Sequence, residues 1–421
     1  MTTLETQSTP TKIRPASRLP LWLIGLLPLL AIGLMLLIFA YGNPLALFTA
    51  ELPPIESLSL QNIRVVDGGF EVSLVNGGPD PVTVAQVIVD DAYWHYTISP
   101  SPIIPRLGRA TITIDYPWVE YEPYAINVIT STGLTFSGEV ALATPTPTPG
   151  FQQFLAYGLL GVYVGIIPVG LGMLWYPAMK RMGRKWLGAI LALTLGLLVF
   201  LLIDTLLEAF EMAAELPGVF QGIPLVLFSA LITWLALLAI GSRRRGVTQA
   251  DPAKKALYLA GMIALGIGLH NLGEGLAIGA AFAIGEAALG SFLVIGFMLH
   301  NVTEGIGIVA PLLPSKRQAE TAPAADAPAS PRLGIFIALT LLAGAPAILG
   351  AWIGGFAFSP FLAALFLGIG LGAIWQVVVE VTGLLRSYAE REGDPFFSWY
   401  NVGGFLAGLA IMYLTAFLVK F

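Results

Sequence analysis

GIGLHNLGEGLAIG (Gly266–Gly279) carries HNLGEG (His270–Gly275), and a matching segment, HNVTEG (His300–Gly305), follows in the next apolar stretch. The chain has only three histidines, and these two segments hold two of them. His270 and Glu274 stand at i and i+4, so on a helix they share one face. Asn271 and Glu274 stand at i and i+3. His300, Asn301 and Glu304 repeat the arrangement. No Lys or Arg lies in the interior of these hydrophobic spans to neutralise the two glutamates. A charged side chain at mid-bilayer costs about 2.5–3.5 kcal/mol on insertion scales. The missing positive charge is expected from outside, as a metal ion in transit, with a proton in its place when the metal is absent.

The composition agrees with a membrane setting. Of 421 residues, 56% are hydrophobic and 11% charged, and the mean hydropathy is +0.79. A water-soluble protein has roughly 25% charged residues. There is no cysteine, so neither disulfides nor thiolate ligands are available. Nitrogen and oxygen donors suit zinc, iron, manganese, cobalt or nickel rather than copper(I). Basic residues fall in the loops between spans, which gives no footing for nucleic acid.

From Phe151 onward, eight apolar stretches run at 153–178, 186–213, 217–241, 255–285, 288–313, 333–357, 361–386 and 399–419, rich in glycine as membrane helices are where they pack closely. Ahead of them lies a polar segment, 1–18, and an apolar stretch, 19–41. The latter exceeds a signal-peptide core and is long enough to span a bilayer as a helix, so it reads as an uncleaved anchor rather than a cleaved signal. Residues 52–142 switch to period-2 alternation between Gly, Pro, Asn and Asp clusters, with acidic residues outnumbering basic ones. This pattern predicts six or seven short antiparallel strands in an immunoglobulin-like sandwich. ATPTPTPG (Ala143–Gly150) reads as a stiff proline-rich linker. Residues 314–332 are of low complexity and read as a disordered loop.

With residues 1–18 placed inside, 17 of the 21 Lys and Arg fall on the inner side. The β region is then outside, as is the C-terminus. This distribution predicts a multi-pass protein of the cell (inner) membrane.

A second acidic pattern lies in IDTLLEAFE, where Asp204, Glu208 and Glu211 form one stripe. Asp204 and Glu208 are deep enough to be costly and read as a route for metal or as auxiliary ligands. The other reading is a hydrogen-bonded stripe between helices. Glu211, nearer the end, reads as solvated. Glu380, with Gln376 one turn before it, reads as a pathway or proton-coupling pair. Glu286 reads as solvated, and Met212 as packing rather than ligand. Asp90, Asp91 and His95 could bind metal in the β region, but an ordinary surface or core role is the stronger reading.

These residues resemble those of the ZIP (Zrt/Irt-like) family of metal transporters, over residues 151–421. HNLGEG and HNVTEG resemble the family's fourth-helix and fifth-helix motifs. LLIDTLLEA resembles its second helix, most like the bacterial GufA-like branch, and AIWQVVVEV its seventh. The resemblance implies an eight-helix bundle with both ends outside. It also implies metal held between the fourth and fifth helices, a moving unit of the first, fourth, fifth and sixth helices, and a homodimer. Cargo in the family is zinc, iron, manganese or cadmium, carried toward the cytosol. Three features depart from the family. Gly273 and Thr303 replace the proline common before the motif glutamate, so less bending is expected. Ala345 stands where binuclear members place a glutamate, so one metal ion is expected. The loop between the third and fourth helices has no histidine, which speaks against metal sensing there.

The expected protein is therefore mainly α: an eight-helix ZIP-like bundle preceded by one anchor helix and an extracytoplasmic β-sandwich. It would be a secondary transporter of divalent transition metals, zinc foremost. His270, Asn271, Glu274, His300, Asn301 and Glu304 would hold the ion; Asp204, Glu208, Glu380 and Gln376 would line its path. The bilayer and a second copy of the chain are the expected partners, and no cofactor or catalytic residue is expected. Two rivals are an intramembrane metal-dependent hydrolase, against which the absence of HExxH counts, and an adhesion or receptor protein working through its β domain.

Overall fold

Alternating β-branched residues after Ser57 fold as nine strands, β1 (Leu58–Val66), β2 (Gly69–Asn76), β3 (Val82–Val89), β4 (Ala92–Trp94), β5 (Tyr96–Ser99), β6 (Ile103–Ile104), β7 (Arg109–Asp115), β8 (Tyr124–Thr130) and β9 (Thr135–Val140). The structure is a computed structural model that describes residues 21–42, 54–248, 252–285, 287–313, 331–393 and 395–419. Residues 1–20 and 52–53, Glu286 and residues 314–330 lie outside the described residues. They contain the expected tail, the start of the anchor, the edge of the β region and most of the low-complexity loop.

Two antiparallel sheets, ordered β1-β2-β7-β5 and β4-β3-β8-β9 with β6 beside β3, enclose one core. Every second residue points inward: Ala110, Ile112 and Ile114 from β7, and Tyr124, Ile126 and Val128 from β8, against fully buried Phe70 and Leu74 of β2. Hairpin geometry fixes the register. Val89 pairs with Ala92, so Asp90 and Asp91 are a two-residue turn, both at positive φ (45° and 66°). Aspartate tolerates that conformation, and a turn of this hand matches the strand twist. The Val119 backbone N–H donates to the Tyr124 hydroxyl at 2.7 Å, holding the chain's approach to β8.

Residues 143–150 are not a free spacer. The Thr146 N–H donates to the Val65 carbonyl at 2.8 Å, and the Val65 N–H donates to Thr146 Oγ1 at 2.9 Å. The proline run is thus strapped along β1.

An apolar helix, α1 (Leu21–Gly42), has Pro28 within it and stands as part of a separate unit, Met1–Pro54. Among the described residues, eight further helices are long and apolar enough to cross a membrane: α2 (Phe151–Arg181), α3 (Lys185–Ala214), α4 (Gly218–Ser242), α5 (Ala253–Ala283), α6 (Leu289–Leu312), α7 (Leu333–Ala357), α8 (Pro360–Glu390) and α9 (Trp399–Phe417). Two of them are interrupted. A π-turn at Val162–Ile166 widens α2, and α7 breaks at Ala345 before Pro346, whose ring cannot continue the hydrogen-bond ladder.

The helices contact one another in two groups. In one, α2 packs on α6 and α7, and α5 packs on α6 and α7. In the other, α3 packs on α4, α8 and α9, and α4 packs on α8. The groups meet where α5 crosses α4 and α8 and where α6 crosses α3 and α9. Exchanging α2 with α7, α3 with α8, α4 with α9 and α5 with α6 carries most of these contacts onto others. Each exchanged pair is an odd number of helices apart, so its members run in opposite directions. This is the pattern of an inverted repeat, with α5 and α6 at its centre. The β domain touches the turns at one end of the bundle: Thr144 Oγ1 donates to the Gly285 carbonyl at 2.9 Å, and a Cβ on Gly77 would strike Pro217.

Candidate metal site

Each six-residue motif divides its labour between two faces of one helix. His and Glu, four apart, look into the α5–α6 crossing. Asn and the final Gly, also four apart, look at a neighbouring helix. On α5, Asn271 Nδ2 donates to the Ala343 carbonyl of α7 at 3.0 Å, and a Cβ on Gly275 would collide with the Ala347 carbonyl. On α6, Asn301 Nδ2 donates to the Val164 carbonyl of α2 at 3.0 Å, and a Cβ on Gly305 would collide with the Val169 carbonyl. Both asparagines therefore grip an interrupted helix: one at the proline break, the other within the π-turn. The two contacts on α7 are four residues apart and those on α2 are five, as the extra residue of a π-turn requires.

The inward faces meet. His270, Asn271, Glu274, His300, Asn301 and Glu304 are all buried. Glu274 Oε1 lies 3.1 Å from His270 Nε2 and 2.5 Å from His300 Nε2. Its other oxygen accepts from Asn301 Nδ2 at 3.1 Å. One carboxylate thus joins both imidazoles across the helix crossing. Ligand atoms of His270, His300 and Glu304 all lie within 4.8 Å of one another, and theirs is the only such group of three or more among the described residues.

Glu304 differs from Glu274. Neither of its buried oxygens makes a well-formed hydrogen bond among the described residues, although the Asn271 side chain lies near enough to favour its charge, and neither do Asn271 Oδ1 and Asn301 Oδ1. Buried polar atoms are paired in most proteins, and an unpaired charge is the costliest exception. Two imidazole nitrogens, a carboxylate without a well-formed hydrogen bond and two amide oxygens make a donor set suited to a divalent transition metal. Against Glu304 lies a cavity of about 10 Å³, lined by His300 and Thr303 and by Thr194 and Leu198 of α3 and Met412 of α9. It is barely large enough for one water.

The acidic stripe of α3 faces this cluster. Glu208 lies within electrostatic reach of His270 and Glu274, and Asp204 within reach of His300. Glu208 is exposed and Asp204 half-buried, so the stripe runs from the cluster to accessible surface. Glu215, one turn past Glu211, extends the stripe. Burial and then the neighbouring Glu211 push its carboxyl above the ordinary range. Met212 packs in the apolar cluster of α3, α4 and α8.

Gln376 and Glu380 stand apart from the cluster, on α8, where Gln376 Nε2 donates to Glu380 Oε1 at 2.9 Å. In the β domain, Asp90 and Asp91 serve the turn, Asp90 Oδ1 accepts from the Ala125 N–H at 2.9 Å, and His95 is exposed. Helix is continuous through both motifs. In place of a proline, the Thr303 hydroxyl returns to the His300 carbonyl at 2.6 Å. The partners that sequence reasoning missed are backbone carbonyls, Val164 and Ala343. Pro346 signals the second interruption, and Pro168, four residues after Val164 and with no N–H to offer its carbonyl, signals the first. No family model matches the sequence, and no curated protein matches it.

Proposed function

We propose that the chain is a secondary transporter of divalent transition metal ions, zinc foremost, and that its helical bundle is ZIP-like. His270, His300 and Glu304 hold the ion. Glu274, hydrogen-bonded to both imidazoles, takes the protons that metal binding releases or joins the coordination itself. Asn271 and Asn301 offer amide oxygens while their Nδ2 groups hold α7 and α2 in place. Asp204 and Glu208 lead toward the side on which the β domain lies.

One observation carries this reading: Glu304 is a deeply buried carboxylate with no well-formed hydrogen bond among the described residues, the Asn271 amide being its nearest help, and it lies within metal-binding reach of two histidines. A resident hydrogen-bond network would have satisfied it; a cargo that comes and goes would not. The interrupted helices α2 and α7, set about the centre of an inverted repeat, are a further support, since transporters place their sites at such discontinuities.

The charge distribution of the loops supports a topology with the N-terminus in the cytoplasm and the β domain outside the cell membrane. The strand order of the two sheets and the Val119–Tyr124 bond at the start of β8 support an immunoglobulin-like class for that domain. Uptake of radiolabelled zinc into proteoliposomes tests the transport reading. Glu274→Ala and Glu304→Ala are expected to reduce uptake to that of empty vesicles while the protein still inserts. Wild-type rates from either variant would overturn it.

A further inference from the structure

Resting on the transport reading, we propose that the β domain is a mechanical stop. Fixed to one helix group and seated on the other, it limits how far the two groups slide past each other. The surface that does this is the contact of Gly77 with Pro217.

The domain is fixed to the first group, α2, α5, α6 and α7. Thr144 Oγ1 donates to the Gly285 carbonyl in the α5–α6 turn at 2.9 Å, and a Cβ on Gly285 would strike that hydroxyl. Thr144 is itself held to the domain from both sides. Before it, the Tyr121 N–H donates to the Ala143 carbonyl and the Ala143 N–H to the Glu122 carbonyl, each at 2.9 Å. After it, Thr146 is strapped to Val65. Residues 147–150 then lead into α2, a tether that spans at most about 14 Å. Where α2 and the α5–α6 turn go, the domain follows.

It is seated on the second group, α3, α4, α8 and α9, at the α3–α4 turn. A Cβ on Gly77 would strike the ring of Pro217, which is buried. Neither face of this contact yields easily. The Gly77 N–H donates to the Ser57 carbonyl at 2.7 Å, and the Asn76 side chain bonds Asp80, Ile104 and Gly78 around it. On the other face, the Phe220 N–H donates to the Pro217 carbonyl at 2.9 Å, and a Cβ on Gly222 would collide with the Ala213 carbonyl, so the turn is tightly closed. Rigid, close-packed surfaces already in contact cannot approach further. The first group is therefore free to move toward the β-domain end, which opens the contact. Moving away from that end would drive Gly77 into Pro217. Alternating exposure of a site by rocking or sliding needs such relative movement. The stop acts on movement, so it sets rates and leaves the zinc affinity of His270, His300 and Glu304 unchanged.

The chain has no cysteine, so an introduced pair fastens this contact alone. Gly77→Cys with Pro217→Cys is expected to form a disulfide in the reconstituted protein, since the two Cβ positions need only move slightly apart to reach disulfide geometry. Zinc uptake into proteoliposomes is expected to fall about ten-fold on oxidation and to return with reductant, while zinc affinity by titration is the same in both forms. Gly77→Cys alone, which leaves the Pro217 turn intact, gives an independent reading. A water-soluble maleimide is expected to label it about five-fold faster during zinc turnover than without zinc, as the contact opens. A folded double variant that forms no disulfide, oxidised protein that takes up zinc at the reduced protein's rate, or labelling indifferent to zinc would overturn the proposal. Absence of zinc uptake in the wild type would overturn the transport reading as well.

Discussion

The β domain and the centre of the bundle treat buried polar groups in opposite ways. In the β domain, the interior is aliphatic and aromatic, and the polar groups that reach it are mostly tied to backbone. Asn76 Nδ2, for example, donates to the Asp80 and Ile104 carbonyls at 2.8 and 2.9 Å, and its Oδ1 accepts from the Gly78 N–H at 2.8 Å. Among the described residues, its two exceptions are neutral atoms, Asn62 Oδ1 and Trp94 Nε1. The bundle instead leaves the Glu304 carboxylate and the amide oxygens of Asn271 and Asn301, all within the two motif segments, without well-formed hydrogen bonds among the described residues. One region is closed for stability; the other keeps acceptors open for a guest.

That contrast can be broken most sharply in the β core. Phe70→Ala removes a ring that is fully buried and packed on Tyr116 and Tyr124. It is expected to destabilise the β domain by about 3–5 kcal/mol, with zinc affinity unchanged, as read by chemical denaturation and zinc titration. A fall in zinc affinity would show that the two regions are not independent. Next in size is the guest itself. Zinc at a hundred times its Kd should stabilise the purified protein by about 2.7 kcal/mol. Glu304→Leu should abolish that gain, yet leave the zinc-free protein no less stable than wild type, because an unpaired buried charge has been removed. A zinc-free Glu304→Leu that unfolds well below wild type would mean that Glu304 is a structural group after all.

Asn301→Leu should cost about 1–3 kcal/mol, since it strands the Val164 carbonyl and one oxygen of Glu274. The smallest effect is expected at Tyr124→Phe, about 1 kcal/mol, from loss of the Val119 hydrogen bond. A larger loss there than at Asn301 would invert the ranking of the two regions.

Sequence and structure meet differently in the two regions. Period-2 alternation announced the strands, and Asp90 and Asp91, for which an ordinary role was the stronger reading, form a turn that only their pairing register shows. A pair of acidic residues beside a histidine carries no record of backbone φ. Uninterrupted apolar runs announced the eight helices, and the i, i+4 spacing placed each His with its Glu. What spacing could not convey is the work of Asn271, Asn301, Gly275 and Gly305. Their partners are backbone carbonyls more than 70 residues away in sequence, on helices whose interruptions decide where those carbonyls point.

X-ray absorption on the zinc-loaded, purified protein tests the central claim most directly. The account predicts one zinc whose first coordination sphere holds two imidazole nitrogens, with carboxylate oxygen completing it, and loss of the imidazole signature in His270→Ala with His300→Ala. Zinc bound through oxygen alone, or a spectrum unchanged in that double variant, would contradict it.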